Sequence, residues 1–463
     1  MKGGYQTPPC RKGHFLYGST LDFLRDPIRT FMKGWKQCGD VVCFRLLGPL
    51  PFRTVGPVAS FMFGPMEMYL VVHPDHIKHV LQENSQNYRK NPSHKAQLNE
   101  VAGDGLTMSE GDLWRFQRRL MQPAFHRSRI AGAVPCITAA TKSMLDRWEA
   151  YLVRDEPVDV YTEMLLLAAD IVARTFFSAD LRNGLEAVVR DSATVLEYAY
   201  RGMRSPIALP LWLPLPSTRR FVRARGALNA VASRLISERK RAPVETQDLL
   251  SLLLEEGMSE KLARDEIVTM ILAGHDTTGA ALTWAMCLLS THPDVARKLN
   301  CEVSNVLGGH TPTFEDLPKL RYTEMVLKEA MRLFPPAWVL SRESVREDEV
   351  GGYRIPGGAM VFISPYITHR HPDFWRNPEE FDPERFGETS DPGSLTAYLP
   401  FGSGSRMCIG NFFALAIGQV VLAMITQAYR TGLVPRQDIR PVPKLTLHPS
   451  GSVLMTLRRE QSG

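Results

Sequence analysis

Cys408 lies in the segment Phe-Gly-Ser-Gly-Ser-Arg-Met-Cys-Ile-Gly, just before a long apolar stretch. A cysteine thiolate holds a metal ion stably when it is shielded from water and receives hydrogen bonds on its sulfur. Gly404 and Gly410 would let the backbone approach the sulfur, because glycine has no Cβ atom. The free N–H groups of a helix beginning at Asn411 would point at the sulfur and favour the thiolate. The pattern predicts a metal ligand at Cys408, with Arg406 beside it able to bind a carboxylate.

A second group of polar residues interrupts an apolar stretch, Ser259–His292, that predicts a long helix through the centre of the protein. The Thr277 hydroxyl can bond the carbonyl of Ala273, four residues back. Gly274 weakens the same turn, so that the helix could open into a groove. A groove holding the Thr277 hydroxyl and the Asp276 carboxylate could accommodate dioxygen, water and a proton path. Taken alone, the motif is better explained as a polar kink whose hydroxyl is satisfied.

Four signatures together resemble the cytochrome P450 family, and they occur in the family's order. They are Trp-x-x-x-Arg at Trp114 and Arg118, the polar motif at 273–277, Glu-x-x-Arg at Glu329 and Arg332, and the cysteine segment, which matches Phe-x-x-Gly-x-Arg-x-Cys-x-Gly at all five fixed positions. A lone cysteine would be interpreted as a packed, inert thiol. The complete set makes that interpretation much the weaker one.

The resemblance implies a role for each matching residue. Cys408 would ligate the iron of haem b, and Asp276 and Thr277 would help deliver protons to dioxygen. The implied haem-binding residues are Trp114, Arg118, Arg342, Phe401, Arg406 and Gly410. A triad of Glu329, Arg332 and Arg385 would brace the cysteine loop. The candidate substrate-pocket residues are Thr107, Met108, Ala273, Ala337, Val339 and Val453. His275 is interpreted as structural, because a second protein ligand would block oxygen.

The resemblance also implies a mainly α-helical fold with small β-sheets, organised as one domain over residues 1–463 around a buried haem. We expect a β-rich N-terminal part at about 38–75, a helical core at about 113–430 and a C-terminal β-hairpin at about 445–457 with its turn at 449–451. Residues 84–108 are predicted to be largely irregular. Residues 48–68 have the character of an insertion relative to the family.

Composition excludes several functional classes. The chain has 463 residues, 44% of them hydrophobic, and a net charge of +6, which is ordinary globular composition and makes nucleic acid an improbable partner. The seven cysteines have irregular spacing without a Cys-x-x-Cys pair, which indicates a reducing compartment. The first forty residues contain no apolar run of membrane-spanning length, although a chain whose anchor had been removed would look similar. We therefore expect a soluble, bacterial-type, cytoplasmic protein.

The function implied is that of a haem-thiolate monooxygenase that inserts one atom of O2 into a small apolar substrate, by hydroxylation or epoxidation. Fatty acid, terpene and polyketide substrates all remain open. Electrons would come from NAD(P)H through a separate ferredoxin or flavodoxin with its reductase. This partner could dock on five clustered arginines, Arg115, Arg118, Arg119, Arg127 and Arg129, although a solvated helix face is the more common explanation of such a cluster. The alternatives are a peroxygenase that uses hydrogen peroxide and a non-enzymatic haem sensor.

Overall fold

The computed structural model describes residues 6–14, 17–49, 63–205, 211, 213–242, 248–388 and 391–460. Helices dominate these residues. The α-helices are α1 Thr20–Arg25, α2 Pro27–Cys38, α3 Pro74–Lys78, α4 Pro92–Ala102, α5 Gly111–Met121, α6 Arg127–Arg154, α7 Val160–Phe177, α8 Leu185–Arg204, α9 Pro216–Arg241, α10 Leu249–Glu255, α11 Glu260–Thr291, α12 Pro293–Leu307, α13 Arg321–Leu333, α14 Pro365–Thr368, α15 Pro392–Thr396 and α16 Asn411–Ala428.

Short strands form small sheets beside the helices, as the sequence predicted. The strands are β1 Val41–Pro49, β2 Phe63–Val71, β3 Tyr88–Arg89, β4 Val158–Asp159, β5 Leu340–Ser344, β6 Asp348–Val350, β7 Tyr353–Ile355, β8 Met360–Ile363, β9 Tyr429–Leu433, β10 Pro441–Pro443, β11 Leu447–Pro449 and β12 Leu454–Arg459. Five of them form a mixed sheet in the order β1-β2-β8-β5-β3. In it, β2 and β8 are parallel and the other neighbours are antiparallel.

Helix α11 is the centre of the helical core. Its 32 residues give it a length of about 48 Å at 1.5 Å per residue. The Ser259 hydroxyl caps its first turn by accepting from the Leu262 N–H at 3.3 Å, which confirms the predicted start. Buried residues lie on nearly every side of the helix, and α7, α9 and α13 all pack against it. The chain therefore places the polar 273–277 motif deep inside the molecule.

Two expectations about local structure are wrong. Residues 84–108 are not simply irregular, because α4 lies within them, capped by the Asn91 side chain. The C-terminal β-hairpin at 445–457 does not form either. Strand β11 pairs with β10, whereas β12 pairs with β9 and β4. Each strand finds its partner outside the segment, so the Pro449–Gly451 stretch connects two different sheets.

Two further sequence predictions concern the apparent insertion and the absence of a membrane span near the N-terminus. Of the apparent insertion at 48–68, residues 50–62 lie outside the described residues, and the flanking residues belong to the antiparallel pair β1 and β2. Among the described helices, only α16 is long and apolar enough to span a membrane, and 61% of its span is buried within the protein. Its composition is therefore accounted for by its position in the core.

Candidate active site

A cavity of about 400 Å³ lies between α11 and the loop that carries Cys408. Ala273, Gly274 and Thr277 line it from α11, and residues 400–403 and 406–410 line it from the loop. The rest of the lining includes Phe125, Phe176 and other apolar side chains from α7, α13 and α16. The fold thus brings the two polar motifs of the sequence to one enclosed, mainly apolar space.

The Cys408 loop is held in a tight conformation by its own backbone. The Cys408 N–H donates to the Phe401 carbonyl at 2.9 Å, and the Gly410 N–H donates to the cysteine sulfur. Gly404 has φ +72°, and a Cβ atom there would collide with the carbonyl of Leu81. Gly404 is therefore required by conformation and space. Gly410, with φ −96°, contributes its N–H rather than its conformational freedom.

The expectation that the free Cys408 thiol favours ionisation is not met. Burial raises the pKa of Cys408, and this effect outweighs the lowering by the Gly410 N–H and by the charge of Arg118. The residue has exposed surface because it faces the cavity, although it lies deep in the protein. A thiol of this kind is deprotonated when a metal ion binds it.

Four cations lie around the cavity beside this loop. Arg118, Arg342 and Arg406 were predicted as candidates, whereas Lys90 was not. Arg118 donates to the Met407 carbonyl and Arg406 to the Ser109 carbonyl, at 2.9 and 2.8 Å. Burial, together with the charge of Arg406, lowers the pKa of Lys90 to about 7. Burial, with the charges of Arg342 and Arg118, lowers the pKa of Arg406 to about 10.

This cation cluster needs an anionic ligand. Within the described part of the chain, Glu110 is the carboxylate that acts on three of the four cations, and their charges oppose one another. Partly buried charges without enough counter-charge are costly. Two carboxylates entering the cavity would relieve that cost. The Trp114 ring also lines the cavity, with Arg406 stacked on it. A thiol, an apolar slot and surplus positive charge are the donor set that haem with its two propionates requires.

The two polar side chains of the α11 motif face different parts of the protein: Thr277 faces the cavity, whereas Asp276 faces the interior. The Thr277 hydroxyl donates to the Ala273 carbonyl at 2.7 Å, which confirms the predicted bond, and Thr277 lines the cavity. Asp276 is buried and faces away from the lining residues, toward Thr446 and His448. Burial alone would raise the pKa of Asp276, but the hydrogen bond and charge of His448 lower it.

The predicted local opening of α11 is not present, since the helix is continuous from Glu260 to Thr291. The structure gives Gly274 a different purpose. A Cβ atom at that position would lie 2.7 Å from Cγ2 of Val172, so that glycine permits the close approach of α7. His275 is buried, and its Nδ1–H donates to the Ile271 carbonyl at 2.7 Å. It does not line the cavity, in agreement with its structural interpretation.

Glu329, Arg332 and Arg385 form a buried network. Arg332 donates to both carboxylate oxygens of Glu329 at 2.7 and 2.8 Å, and Arg385 donates to one of them at 3.3 Å. The network reaches toward the cysteine loop through His369. Its Nδ1–H donates to the Arg332 carbonyl at 3.1 Å, and its Nε2 accepts from the Leu399 N–H at 2.8 Å. Leu399 stands two residues before the loop begins.

The candidate pocket residues separate into three groups. Thr107, Ala273 and Ala337 line the main cavity. Met108 and Val339 line a neighbouring cavity of about 290 Å³, which shares Lys90, Thr107, Leu340 and Arg342 with the first. Val453 lines neither of these two cavities, contrary to the prediction. It is fully buried in the main core, and its carbonyl accepts from the Val160 N–H at 2.9 Å.

Comparison with known proteins gives consistent results. The family model described as Cytochrome P450 matches residues 51–457. Cyclooctatin synthase of Streptomyces melanosporofaciens is 38% identical over 413 residues, covering 87% of this chain and 88% of the relative. Cyclooctat-9-en-7-ol 5-monooxygenase of the same species is 33% identical and covers 93% and 89%. Pentalenene oxygenase of Streptomyces avermitilis is 32% identical and covers 94% and 93%.

Proposed function

This chain belongs to the cytochrome P450 family and is a monooxygenase, and we propose that it hydroxylates or epoxidises a cyclic hydrocarbon substrate of the terpene class. The single observation that carries this proposal is the convergence of Cys408, Thr277 and the cation cluster on one apolar cavity. The sequence left fatty acid, terpene and polyketide substrates open, and of these the terpene class best matches the compounds in the relatives' names. One relative is named for an unsaturated alcohol, cyclooctat-9-en-7-ol, and another for an alkene, pentalenene.

In the proposed site, the Cys408 thiolate would hold the iron, while Trp114, Arg118, Arg342 and Arg406, together with Lys90, would bind the propionates. Phe401 and Gly410 complete the loop, the former through its carbonyl and the latter through its N–H. Bound haem supplies oxygen activation and transfer of one oxygen atom to the substrate. Apolar residues such as Ala337 orient the substrate and exclude water. Asp276 and Thr277 supply protons on the α11 side.

The neighbouring cavity supports an entry route for the substrate. It shares four lining residues with the main cavity. Its walls include Phe23, Phe31, Met108, Val339 and Phe362. An aromatic and aliphatic passage favours a ligand with little polar surface. Electrons would come from a separate ferredoxin or flavodoxin with its NAD(P)H-dependent reductase. The cytoplasmic location stays a prediction.

The test is oxygen uptake by the haem-loaded protein supplied with ferredoxin, reductase and NADPH, with and without added cyclic alkenes. The proposal predicts substrate-dependent uptake and a product that contains one atom from labelled O2. Product formation from hydrogen peroxide alone, without any from the reductase system, would indicate the peroxygenase alternative. No product by either route, in protein that binds haem, would indicate a sensor. Turnover of fatty acids but not of cyclic alkenes would overturn the substrate class.

A further inference from the structure

Asp276 lies in a hydrogen-bonded chain that extends away from the cavity. The Thr446 hydroxyl bonds Oδ2 of Asp276 and also Nε2 of His448, and Nε2 itself lies 3.4 Å from Oδ2. On its other side, Nδ1 of His448 bonds the Tyr161 hydroxyl. Asp276, Thr446 and His448 are buried, whereas Tyr161 is partly exposed. The chain therefore connects an interior carboxylate to a partly exposed tyrosine.

The direction of each hydrogen bond follows from the donors available. An ionised Asp276 can only accept, so the single hydroxyl proton of Thr446 points at it. The Thr446 oxygen must then accept from His448, which puts the imidazole proton on Nε2. Nδ1 of the neutral ring is left as an acceptor for the Tyr161 hydroxyl. All three donors thus point from the surface toward Asp276, which is the order that proton transfer by successive hops requires.

The charges around the chain also favour proton supply through His448. Among the described residues, no lysine or arginine forms an ion pair with Asp276, and His448 is its one basic partner of that kind. The other titratable groups that act on this cluster are His275 on α11, Asp159 and Tyr161, and burial, with the charges of Asp276 and Asp159, raises the pKa of Tyr161, so that a free phenolate is disfavoured. His275 uses its Nδ1–H for the Ile271 carbonyl. The His275 imidazole is therefore hydrogen-bonded within α11 and is not part of the chain of hydrogen bonds from Asp276 to Tyr161.

We propose that Tyr161, His448 and Thr446 form a proton relay that reprotonates Asp276 during turnover. A monooxygenase consumes two protons and two electrons as RH and O2 become ROH and H2O, and the electrons come from the redox partner. In each relay step a proton passes from Tyr161 to Nδ1 of His448. The Nε2 proton moves to the Thr446 oxygen as the Thr446 hydroxyl proton moves to Asp276, and Tyr161 takes up a proton from solvent in the same step, so that no free phenolate forms. A flip of the His448 ring and rotation of the Thr446 hydroxyl then restore the starting arrangement. Because the Asp276 carboxyl group faces Thr446 and His448, its side chain must rotate toward Thr277 before it releases the proton at the cavity.

This inference rests on the proposed role of Asp276, and a spectroscopic readout tests it independently of turnover. The haem-loaded protein, reduced and bound to carbon monoxide, is diamagnetic and allows ¹⁵N NMR of its labelled histidines. His448 is assigned from the signal missing in His448→Gln. The relay predicts the Nε2–H tautomer and a signal that shifts in Asp276→Asn and in Tyr161→Phe. An Nδ1–H tautomer, or a signal unchanged in both variants, would overturn it.

Turnover gives the second readout. His448→Gln keeps a hydrogen-bonding side chain but cannot relay a proton. We expect about a tenfold or larger fall in product per O2 consumed, with the difference released as peroxide. This is smaller than the roughly hundredfold or larger effect of a direct general acid, because His448 acts through Asp276. We also expect a larger solvent isotope effect. Tyr161→Phe, which changes a partly exposed residue, should move both in the same direction. His310→Gln is the matched control, because His310 forms another histidine–aspartate pair, with Asp316 at 3.1 Å, away from the cavity lining.

Failure of the inference and failure of the proposed function give different results. If Asp276→Asn leaves product per O2 unchanged, the proposed role of Asp276 is wrong. If Asp276→Asn releases peroxide while His448→Gln and Tyr161→Phe behave like His310→Gln, the acid acts without this relay and only the inference falls.

Discussion

The guanidinium carbon of Arg406 lies 3.9 Å from the centre of the Trp114 indole ring. A cation is attracted to the face of an aromatic ring, and the contact also fixes the plane of the guanidinium. Arg406 donates to the Ser109 carbonyl at the same time. The side chain is thereby held in place before any ligand enters the cavity, and the geometry is prepared for a carboxylate.

Arg406→Ala should therefore weaken haem retention. The loss of one charge-assisted hydrogen bond, worth roughly 1.5–3 kcal/mol, predicts at least a tenfold faster release of haem. The measurement is the rate of haem transfer to an excess of a haem-scavenging apoprotein. Arg115→Ala is the control, because Arg115 lies on the same helix as Trp114 but pairs with Asp112 in solvent. Equal release rates for the two variants would remove Arg406 from the proposed propionate site.

Glu329→Gln should destabilise the whole protein. Glu329 and Arg332 have fully buried side chains, and the substitution leaves two arginines facing a neutral amide. Breaking a buried pair in this way costs about 3–5 kcal/mol of unfolding free energy. The measurement is denaturant unfolding followed by circular dichroism. Glu324→Gln, which removes the partly exposed pair with Lys328 on the same helix, should cost under ~1 kcal/mol. Similar losses of unfolding free energy in the two variants would show that the buried Glu329 network stabilises the protein no more than the partly exposed pair does.

Glu266 should make stability depend on pH. It is fully buried on α11, and Oε2 accepts from the Leu106 N–H at 3.0 Å. Burial raises the pKa of Glu266 to about 7. The folded protein then binds a proton more tightly than the unfolded chain, so this stability is complete below about pH 4.5 and is lost as the pH rises toward 7.

The difference in unfolding free energy between wild type and Glu266→Gln, measured from pH 4 to 8, isolates this contribution. Relative to the variant, the wild type should lose on the order of 3 kcal/mol over that interval. Parallel pH curves for the two proteins would mean that Glu266 does not titrate as described.

The exposed arginines Arg119 and Arg127 provide the test of partner docking. Both lie beside the segment whose Arg118 reaches the Met407 carbonyl next to the cysteine. Replacing both with Glu should slow reduction by an acidic ferredoxin by roughly tenfold or more at low salt, with a smaller effect at high salt. The rate is followed by stopped-flow reduction under carbon monoxide. Arg458→Glu, at an exposed arginine in β12, is the control, and a rate no slower in the double variant than in this control would exclude the surface.

Local interactions were the part of the site that the sequence could predict. The Thr277–Ala273 bond joins residues four positions apart, where helix geometry alone fixes the contact. The Glu329–Arg332 pair is local in the same sense. The burial of that pair could also be predicted, because apolar residues surround it in the sequence.

Contacts between distant segments could not be predicted from the residues themselves. Asp276 and Thr446 are 170 positions apart, and Lys90 joins the cation cluster from a segment that carries no motif. The error in the predicted hairpin at 445–457 has the same origin, because the partners of β11 and β12 are decided by sheet pairing with β10 and β9. A turn-forming sequence between two strands does not specify that they pair with each other.

The bond between the Cys408 sulfur and haem iron is tested most directly by the absorption spectrum of the reduced, carbon monoxide-treated protein. We predict the strongly red-shifted Soret band of a thiolate-ligated haem, and its loss in Cys408→Ala, while Cys301→Ala, at an exposed cysteine on α12, keeps it. A wild-type spectrum without that band, or a Cys408→Ala protein that retains it, would contradict the assignment of the active site.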